Sequence, residues 1–301
     1  MTLPNFLVIG AAKSGTSSLY MYLKQHPQIF MSPIKEPHFF SFDSISKNTK
    51  GPGDTIPQAI TDITEYSKLF DKAKDELAIG EASPTYLYRE EAAERIFNLI
   101  PSVKLIAILR NPAERAFSAY MHVIRDGREK FNNFSDAMAQ EELRINDNWG
   151  PIWHYTKGGF YYEQLSRYYN LFPSKQIKVF LYEDLINNQQ NLLKNIFDFL
   201  NIDSDFIPDS SIRYNISGTH KNVLIHSLSH ALFNSPNPIR WLSRKFLPES
   251  LRWKMTSWVR DKNIQRHKIP KKTKLELIKL FSDDVNNLEK LINRDLSHWL
   301  E

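Results

Sequence analysis

Short apolar runs recur along the chain and are separated by longer polar stretches. Most runs cover four to six residues, which suits buried strands better than helices. The pattern predicts strands over Asn5–Gly10, Leu77–Gly80, Lys104–Leu109 and Ile177–Tyr182.

Apolar residues at helical spacing fill much of the sequence between these strands. They predict helices over Thr16–Gln25, Glu90–Ile100, Phe160–Leu171, Asp184–Leu200 and Leu275–Leu291. A further helix begins at Asn111-Pro112, where asparagine can cap and proline fits the first turn. Strands that alternate with helices favour parallel βαβ units, and so an α/β fold with a central parallel sheet flanked by helices.

Strand signals end after about residue 222, and the C-terminal tail is predicted to be helical. No linker is evident, so we expect one domain over residues 1–301. Its core would span about 5–225, and its helical C-terminal part about 226–301.

Composition narrows the possible functions. The 301 residues include no cysteine, which excludes disulfides, thiolate metal sites and cysteine nucleophiles. The net charge of +5 suits an anionic ligand, whereas nucleic acid is a weaker interpretation. No apolar run is long enough to span a bilayer, and the first residues lack a secretory signal pattern. We therefore expect a cytoplasmic protein.

The segment after the first strand has the character of a phosphate-binding loop. Gly10 and Gly15 are spaced as in a Walker A loop, Lys13 lies between them, and a helix begins at Thr16. Backbone N–H groups of such a loop and the helix N-terminus attract a phosphate. The alternative is an ordinary tight turn from strand to helix. The predicted phosphate ligands are Lys13, Ser14, Gly15, Thr16, Ser17 and Ser18.

Two features argue against a nucleoside triphosphatase or phosphotransferase. The lysine that normally follows the second glycine is absent, because Thr16 stands there. The strand Lys104–Leu109 is followed by Arg110, where such enzymes need a metal-binding carboxylate. A guanidinium at that place favours a second phosphate over Mg²⁺.

Two motifs together resemble the PAPS-dependent sulfotransferase superfamily (PAPS is 3'-phosphoadenosine-5'-phosphosulfate). Ala12–Ser18 is similar to its 5'-phosphosulfate loop, and Leu109–Tyr120 to its 3'-phosphate motif, in which Arg110 and Ser118 match the phosphate ligands. Phe180–Leu185 is also typical of the family. The resemblance implies a P-loop-type three-layer fold, PAPS as donor, PAP (3',5'-ADP) as product and no required metal.

Within the superfamily, Lys35-Glu36-Pro37-His38-Phe39-Phe40 resembles the heparan-sulfate sulfotransferase type and its bacterial relatives. The resemblance implies that Glu36 is the catalytic base and that His38 supports it. It also implies that Lys13 contacts the departing phosphate. One departure concerns the acceptor: Ala82 stands where the polysaccharide enzymes carry a lysine.

Local geometry also favours Glu36 and His38 as a pair. Pro37 biases Glu36 away from the α region, so the segment is expected to be extended. Side chains alternate in an extended chain, so Glu36 and His38 would share a face while Lys35 faces away. The alternative is a surface loop with ordinary charges.

Three further positions are candidates. Tyr161 or Tyr162 is expected to line the nucleotide pocket, with Tyr162 preferred, although packing along a helix would also explain both. Ser217–Lys221 resembles the late loop that closes over the 3'-phosphate, with Lys221 as the contact. Arg115 could assist with phosphate or form a surface ion pair.

The sequence thus predicts sulfuryl transfer from PAPS to a hydroxyl or amine. A small metabolite is favoured as the acceptor and a saccharide is the alternative. A phosphotransferase and a nucleotide-binding protein without catalysis are the competing interpretations. The acceptor pocket is expected from the variable segments Asp43–Thr61, Arg125–Lys157 and Asn222–His267.

Overall fold

The fold is built on one parallel sheet. The computed structural model describes residues 1–54, 56–209, 219–220, 264–265 and 267–301. The sheet strands are β1 (Phe6–Gly10), β2 (Ile29–Met31), β3 (Ala78–Ala82), β4 (Lys104–Leu109) and β5 (Ile177–Leu181). They lie in the order β2-β3-β1-β4-β5 and all neighbours run parallel, as predicted. The backbones of β6 (Thr219–His220) and β7 (Ile264–Gln265) form an antiparallel pair.

Helices connect these strands, and short 3₁₀ turns lie between some of them. The described helices are α1 (Thr16–Leu23), α2 (Ile63–Lys68), α3 (Thr85–Tyr88), α4 (Ala92–Leu99), α5 (Pro112–Arg125), α6 (Phe134–Ala139), α7 (Glu141–Asn146), α8 (Tyr161–Leu171), α9 (Tyr182–Asn187), α10 (Gln189–Leu200) and α11 (Lys271–Ile292).

The sheet carries an apolar core on each face, which makes the three layers. Successive side chains of a strand point to opposite faces, so β1 supplies both cores. On one face Leu7 and Ile9 pack with Leu105 of β4 and with side chains of α4, α5, α8 and α11. On the other face Phe6 and Val8 pack against α1 and α10. Burial on both faces explains why β1 and nearly all of β4 are continuous apolar runs rather than alternating ones.

One segment differs from the sequence prediction. The helix predicted over Asp184–Leu200 is two helices, because Asn188 leaves the helical region (φ −145°, ψ 53°) between α9 and α10.

The polar segment around Lys50 is hydrogen-bonded to the chain near residue 149. Lys50 donates its backbone N–H to the Asn148 carbonyl at 2.7 Å, and the Gly150 N–H donates to the Lys50 carbonyl at 3.2 Å.

The described end of the tail packs against the sheet layer. The Asp284 carboxylate, on α11, accepts the backbone N–H of Tyr162 at the start of α8 (3.1 and 3.2 Å). Arg294 donates to both carboxylate oxygens of Asp184 at 2.6 and 2.5 Å. The Trp299 carbonyl accepts the side-chain N–H of Asn111 at 3.1 Å. Residues 267–301 therefore buttress the loops after β4 and β5.

Candidate active site

The predicted site residues meet at one edge of the sheet. In a parallel sheet all carboxyl ends lie on the same side, and ligands bind where neighbouring connections diverge. β1 lies between β3 and β4, so its following loop is at that place. The segment after β2 joins it, because Glu36 donates its backbone N–H to the Ala82 carbonyl at 3.0 Å.

The phosphate loop joins β1 to α1 as a tight turn. The Ala11 N–H donates to the Ile108 carbonyl of β4 at 2.8 Å, which fixes the loop to the neighbouring strand. Gly15 has φ 93°, and a Cβ there would lie 2.8 Å from Leu185 Cδ2, so only glycine fits. Ser14, Thr16 and Ser18 are buried, and Ser17 is half-buried. The loop amides and the first turn of α1 thus form a small polar cradle.

Lys13 is the cation of this loop. It has φ 69°, a left-handed conformation that few non-glycine residues adopt. Burial, with the charges of Arg125 and Arg110, lowers the pKa of its ammonium to about 7, against the opposing effect of Glu36 and Asp126. Lys13 therefore shares one electrostatic environment with Arg110, the predicted 3'-phosphate ligand, and with Glu36, the predicted base.

The 3'-phosphate motif occupies the end of β4 and the start of α5. As predicted, Asn111 caps α5, since its side-chain oxygen accepts the N–H of Ala113 and Glu114 at 3.0 and 3.2 Å. Arg110 lies with its guanidinium carbon 4.7 Å from the centre of the Tyr182 ring. Ser118 is two turns along α5 and is buried. The cation and the serine are thus on one strand–helix unit beside the phosphate loop.

Tyr161 and Tyr162 differ in their surroundings. The Tyr161 hydroxyl lies beside the Ser14 side chain and the Arg110 backbone. Burial raises its pKa to about 12, and Arg115 and these two partners oppose that shift. Tyr162, the preferred candidate, is 38% exposed. Tyr161 therefore lies beside the phosphate loop, and a role for Tyr162 in the nucleotide pocket stays a prediction.

Arg115 has a structural role, which differs from both the phosphate contact and the surface ion pair considered from the sequence. It is 4% exposed, and its guanidinium donates to the backbone carbonyls of His154 and Tyr155 at 3.1 and 3.2 Å. Gly158 packs directly on it, since a Cβ there would lie 2.0 Å from the guanidinium nitrogen. Arg115 therefore holds the segment around His154 and Tyr155 on α5, and it forms no ion pair with any residue that the structure describes.

Glu36 and His38 do lie together, but the reason given by the sequence was wrong. Glu36 and His38 both have positive φ, 65° and 59°, so the backbone of this segment is irregular rather than extended. The His38 Nε2 atom is 3.9 Å from a Glu36 carboxylate oxygen. Lys35 does not face away, because its ammonium donates to the other Glu36 oxygen. The Glu36 side chain is 38% exposed, so an incoming acceptor can reach it.

The charges around Glu36 favour its ionised form. Burial acts to raise its pKa, but Lys35, His38 and Lys13 outweigh this and hold the pKa below its usual value. Burial lowers the pKa of His38, against the attraction of Glu36. At neutral pH the pair is thus a carboxylate beside an uncharged imidazole, which is a suitable state for accepting a proton.

The end of α5 carries a charged group near the site that was not predicted from the sequence. His122, Arg125 and Asp126 form a bonded group: the Arg125 guanidinium donates to Asp126 at 3.0 Å and to His122 Nδ1 at 2.8 Å. Burial lowers the pKa of His122 to about 3, and the charges of Lys13 and Arg125 add to the shift. No sequence pattern predicts this group, because it comes close to Lys13 only when α5 packs beside the phosphate loop.

The last candidate, Lys221, lies outside the described residues. The backbone of the preceding pair, Thr219–His220, forms β6 and lies against α5, the helix that carries Ser118. Among the described residues no helix has both the length and the apolar character needed to cross a membrane. Within that same part of the chain, no group of three or more histidine or acidic side chains could hold a metal ion.

Comparison with known proteins agrees with this arrangement. A family model described as a sulfotransferase domain matches residues 3–223. A membrane-associated sulfotransferase of Dictyostelium discoideum is 28% identical over 283 residues, covering 67% of this chain and 57% of that protein. Mouse heparan sulfate glucosamine 3-O-sulfotransferase 5 is 30% identical over 203 residues, covering 66% and 54%. The chain thus spans about half the length of these relatives, and a cytoplasmic location stays a prediction.

Solved structures show the same architecture. A sulfotransferase from Alicyclobacillus acidocaldarius superposes over the whole of both chains with a TM-score of 0.78 and 34% identity. A mouse sulfotransferase, SULT7A1, complexed with PAP, has a TM-score of 0.51 at 16% identity, covering 96% of this chain and 87% of that one. The second likeness concerns the fold alone.

Proposed function

Because the chain belongs to the sulfotransferase domain family, we propose that it transfers a sulfuryl group from PAPS to a hydroxyl or amine. The observation that carries the proposal is the shared environment of Lys13, Arg110 and Glu36 at one edge of the sheet. PAPS carries phosphate groups at the 3' and 5' positions of its ribose, which two separate cations suit, and a base must lie near the cation at the transferred group.

The donor would bind across the two phosphate elements. The loop amides with Ser14, Gly15, Thr16, Ser17 and Ser18 would hold the 5'-phosphosulfate beside Lys13. Arg110 and Ser118 would hold the 3'-phosphate. Tyr162 and Lys221 remain predicted contacts of the nucleotide, and Tyr161 is added by its position beside Ser14.

The chemistry follows from these positions. The acceptor oxygen or nitrogen attacks sulfur and gives its proton to the Glu36 carboxylate, with His38 beside it. The bond between sulfur and the bridging oxygen breaks, and that electron pair leaves with PAP. Lys13 stabilises the charge that develops on the leaving phosphate, an effect that can contribute a hundredfold or more in rate. Positioning and charge stabilisation carry such reactions.

The proposed acceptor class depends on the last residue of β3, Ala82. Ala82 is fully buried, so this position offers no cation to a polyanionic acceptor. A small metabolite is therefore our first proposal. A saccharide is the second, because the mouse relative is named for heparan sulfate glucosamine.

The test measures donor binding and transfer separately. Calorimetry with PAP, and with ATP plus Mg²⁺, shows which nucleotide binds. Transfer of ³⁵S from labelled PAPS to a panel of phenols, alcohols, amines and desulfated heparan identifies the acceptor. The same assay with and without EDTA tests whether transfer needs a metal ion. We expect Glu36→Gln to bind PAP as the wild type does and to lose transfer at least a hundredfold, whereas Glu94→Gln, at an exposed position on α4, changes neither.

Each competing function predicts a different result. A phosphotransferase would bind ATP with Mg²⁺ at least as tightly as PAP and would turn it over. A nucleotide-binding protein without catalysis would bind PAP yet transfer nothing, even as wild type. Retained transfer by Glu36→Gln would remove Glu36 from the role of base.

A further inference from the structure

A second buried carboxyl lies behind the proposed base. Glu81 is the penultimate residue of β3 and is fully buried, in register with Leu7 of β1. Its surroundings on that face of the sheet are aromatic, with Tyr66 of α2 and Tyr86 of α3 in contact. Burying a carboxyl among apolar and aromatic side chains is unfavourable unless the carboxyl is hydrogen-bonded.

Three hydroxyl groups donate to this carboxyl. Tyr86 and Tyr66 donate to Oε1 at 2.5 and 3.2 Å, and Ser83 donates to Oε2 at 2.9 Å. An ionised carboxylate only accepts hydrogen bonds, so three converging donors match its charged form. The arrangement therefore stabilises a carboxylate whose three hydrogen-bond donors all lie outside the phosphate loop.

The same strand end holds the segment that carries the base. Ser83 Oγ, while donating to Glu81, accepts the backbone N–H of His38 at 3.1 Å. The Ala82 carbonyl accepts the backbone N–H of Glu36 at 3.0 Å. His38 Nδ1 lies 2.8 Å from Thr85 Oγ1. Because Glu36 and His38 both have positive φ, their conformation depends on such outside contacts rather than on local preference.

We propose that Glu81 is a positioning residue for the proposed base: through Ser83 it orients the His38 backbone and so places the Glu36 carboxylate for proton transfer. The proposal rests on the function proposed above. Glu81 itself touches neither donor nor acceptor, so its loss should lower kcat and leave PAP affinity unchanged.

The proposal has a distinctive pH dependence. Burial raises the pKa of Glu81 to about 7, although the hydroxyls of Tyr86, Ser83 and Tyr66 act to lower it and Glu36 acts to raise it. Protonation removes the charge that the three donors match, so activity should fall as pH drops through about 7. Glu36 and His38 have pKa values below their usual ranges, and neither accounts for a transition there.

The experiment compares Glu81→Gln and Ser83→Ala with the wild type. PAP affinity is measured by calorimetry. The kcat and KM for PAPS are measured from pH 5.5 to 8.5 by transfer of ³⁵S to the acceptor found above, or by release of labelled sulfate with water as acceptor. We expect a tenfold to hundredfold loss of kcat in both variants, PAP affinity within twofold of wild type, and no acid limb near pH 7 in Glu81→Gln. Ser67→Ala, which changes a buried serine bonded to the Thr64 carbonyl, is the matched control.

Other results would overturn the proposal. A kcat within twofold of wild type in Ser83→Ala would show that the link from Glu81 to His38 is dispensable. Ser83→Ala therefore tests the proposal by itself, even if Glu81→Gln does not fold. A parallel loss of PAP affinity assigns Glu81 a general structural role. Retained transfer by Glu36→Gln instead defeats the proposed base, which separates that failure from this one.

Discussion

Arg110 is bound to Glu114, one turn along α5: its Nε and Nη2 atoms donate to the same carboxylate oxygen at 3.2 and 2.9 Å. The Arg110 side chain is 17% exposed, whereas that of Glu114 is 51% exposed. A phosphate that binds Arg110 must therefore share this guanidinium with an exposed carboxylate.

Removing the Glu114 charge should favour the nucleotide. An exposed pair of this spacing is worth about 0.5 kcal/mol, so we expect Glu114→Gln to bind PAP about twofold more tightly. The gain should shrink in 0.5 M salt, because exposed charges are screened. Calorimetry at two salt concentrations measures it, with Glu94→Gln as control. Weaker binding would show instead that Glu114 holds Arg110 in its productive orientation.

Arg110 should recognise the 3'-phosphate specifically. Hydrogen bonds to charged groups contribute about 1.5–3 kcal/mol, so we expect Arg110→Ala to weaken PAP binding by roughly 10- to 150-fold. The affinity for 5'-AMP, which lacks the 3'-phosphate, should change less than about threefold. Arg95→Ala, on a half-buried arginine paired with Asp43, serves as control. Equal losses for both nucleotides would place Arg110 elsewhere in the donor site.

The tail should contribute to stability through one helix cap. Asp284 accepts the Tyr162 N–H at the start of α8, where N–H groups lack helical partners. We expect Asp284→Ala to lower the free energy of unfolding by about 1–2 kcal/mol, the usual cost of a lost cap. Asp283→Ala, at the exposed neighbouring position, should change it by less than about 0.5 kcal/mol. Urea denaturation measures both, and equal effects would argue against the cap.

The sequence predicted the elements with strong local signals. Burial on both sheet faces makes β1 and nearly all of β4 continuous apolar runs, and Asn111 with Pro112 marks the start of α5. It missed β2, whose three residues lie between two prolines and carry too little pattern. It also joined α9 to α10, because Asn188 interrupts the helix without disturbing the apolar spacing.

The site was predicted as a set of residues but not as a geometry. Glu36 and His38 were paired on the premise of an extended chain, whereas tertiary hydrogen bonds to Ala82 and Ser83 hold both at positive φ. Local preference cannot reveal a conformation that distant residues impose. For the same reason no local pattern indicates that Arg125 lies near Lys13, since more than 100 residues separate them.

The last prediction concerns the proton of Lys13. In the protein without nucleotide, burial and the charge of Arg125 lower the Lys13 pKa to about 7. Near pH 8 most of these amines are therefore uncharged. The negative charge of PAP should raise the pKa in the complex, so binding should take up a proton.

The sign of the pH dependence follows from this linkage. Below pH 7 Lys13 is already protonated, and its titration adds nothing to PAP affinity. Between about pH 7.5 and 9 only the complex holds the proton, so affinity should fall with rising pH by up to about tenfold per unit. The phosphate pKa near 6 lies below this window and does not interfere.

Calorimetry in two buffers of different ionisation enthalpy counts the protons taken up when PAP binds. Lys13→Met should show no proton uptake and a flat affinity across this range. Lys24→Met, at the exposed position directly after α1 and so at the end opposite to the loop, should match the wild type. Proton uptake that persists in Lys13→Met would assign it to another group.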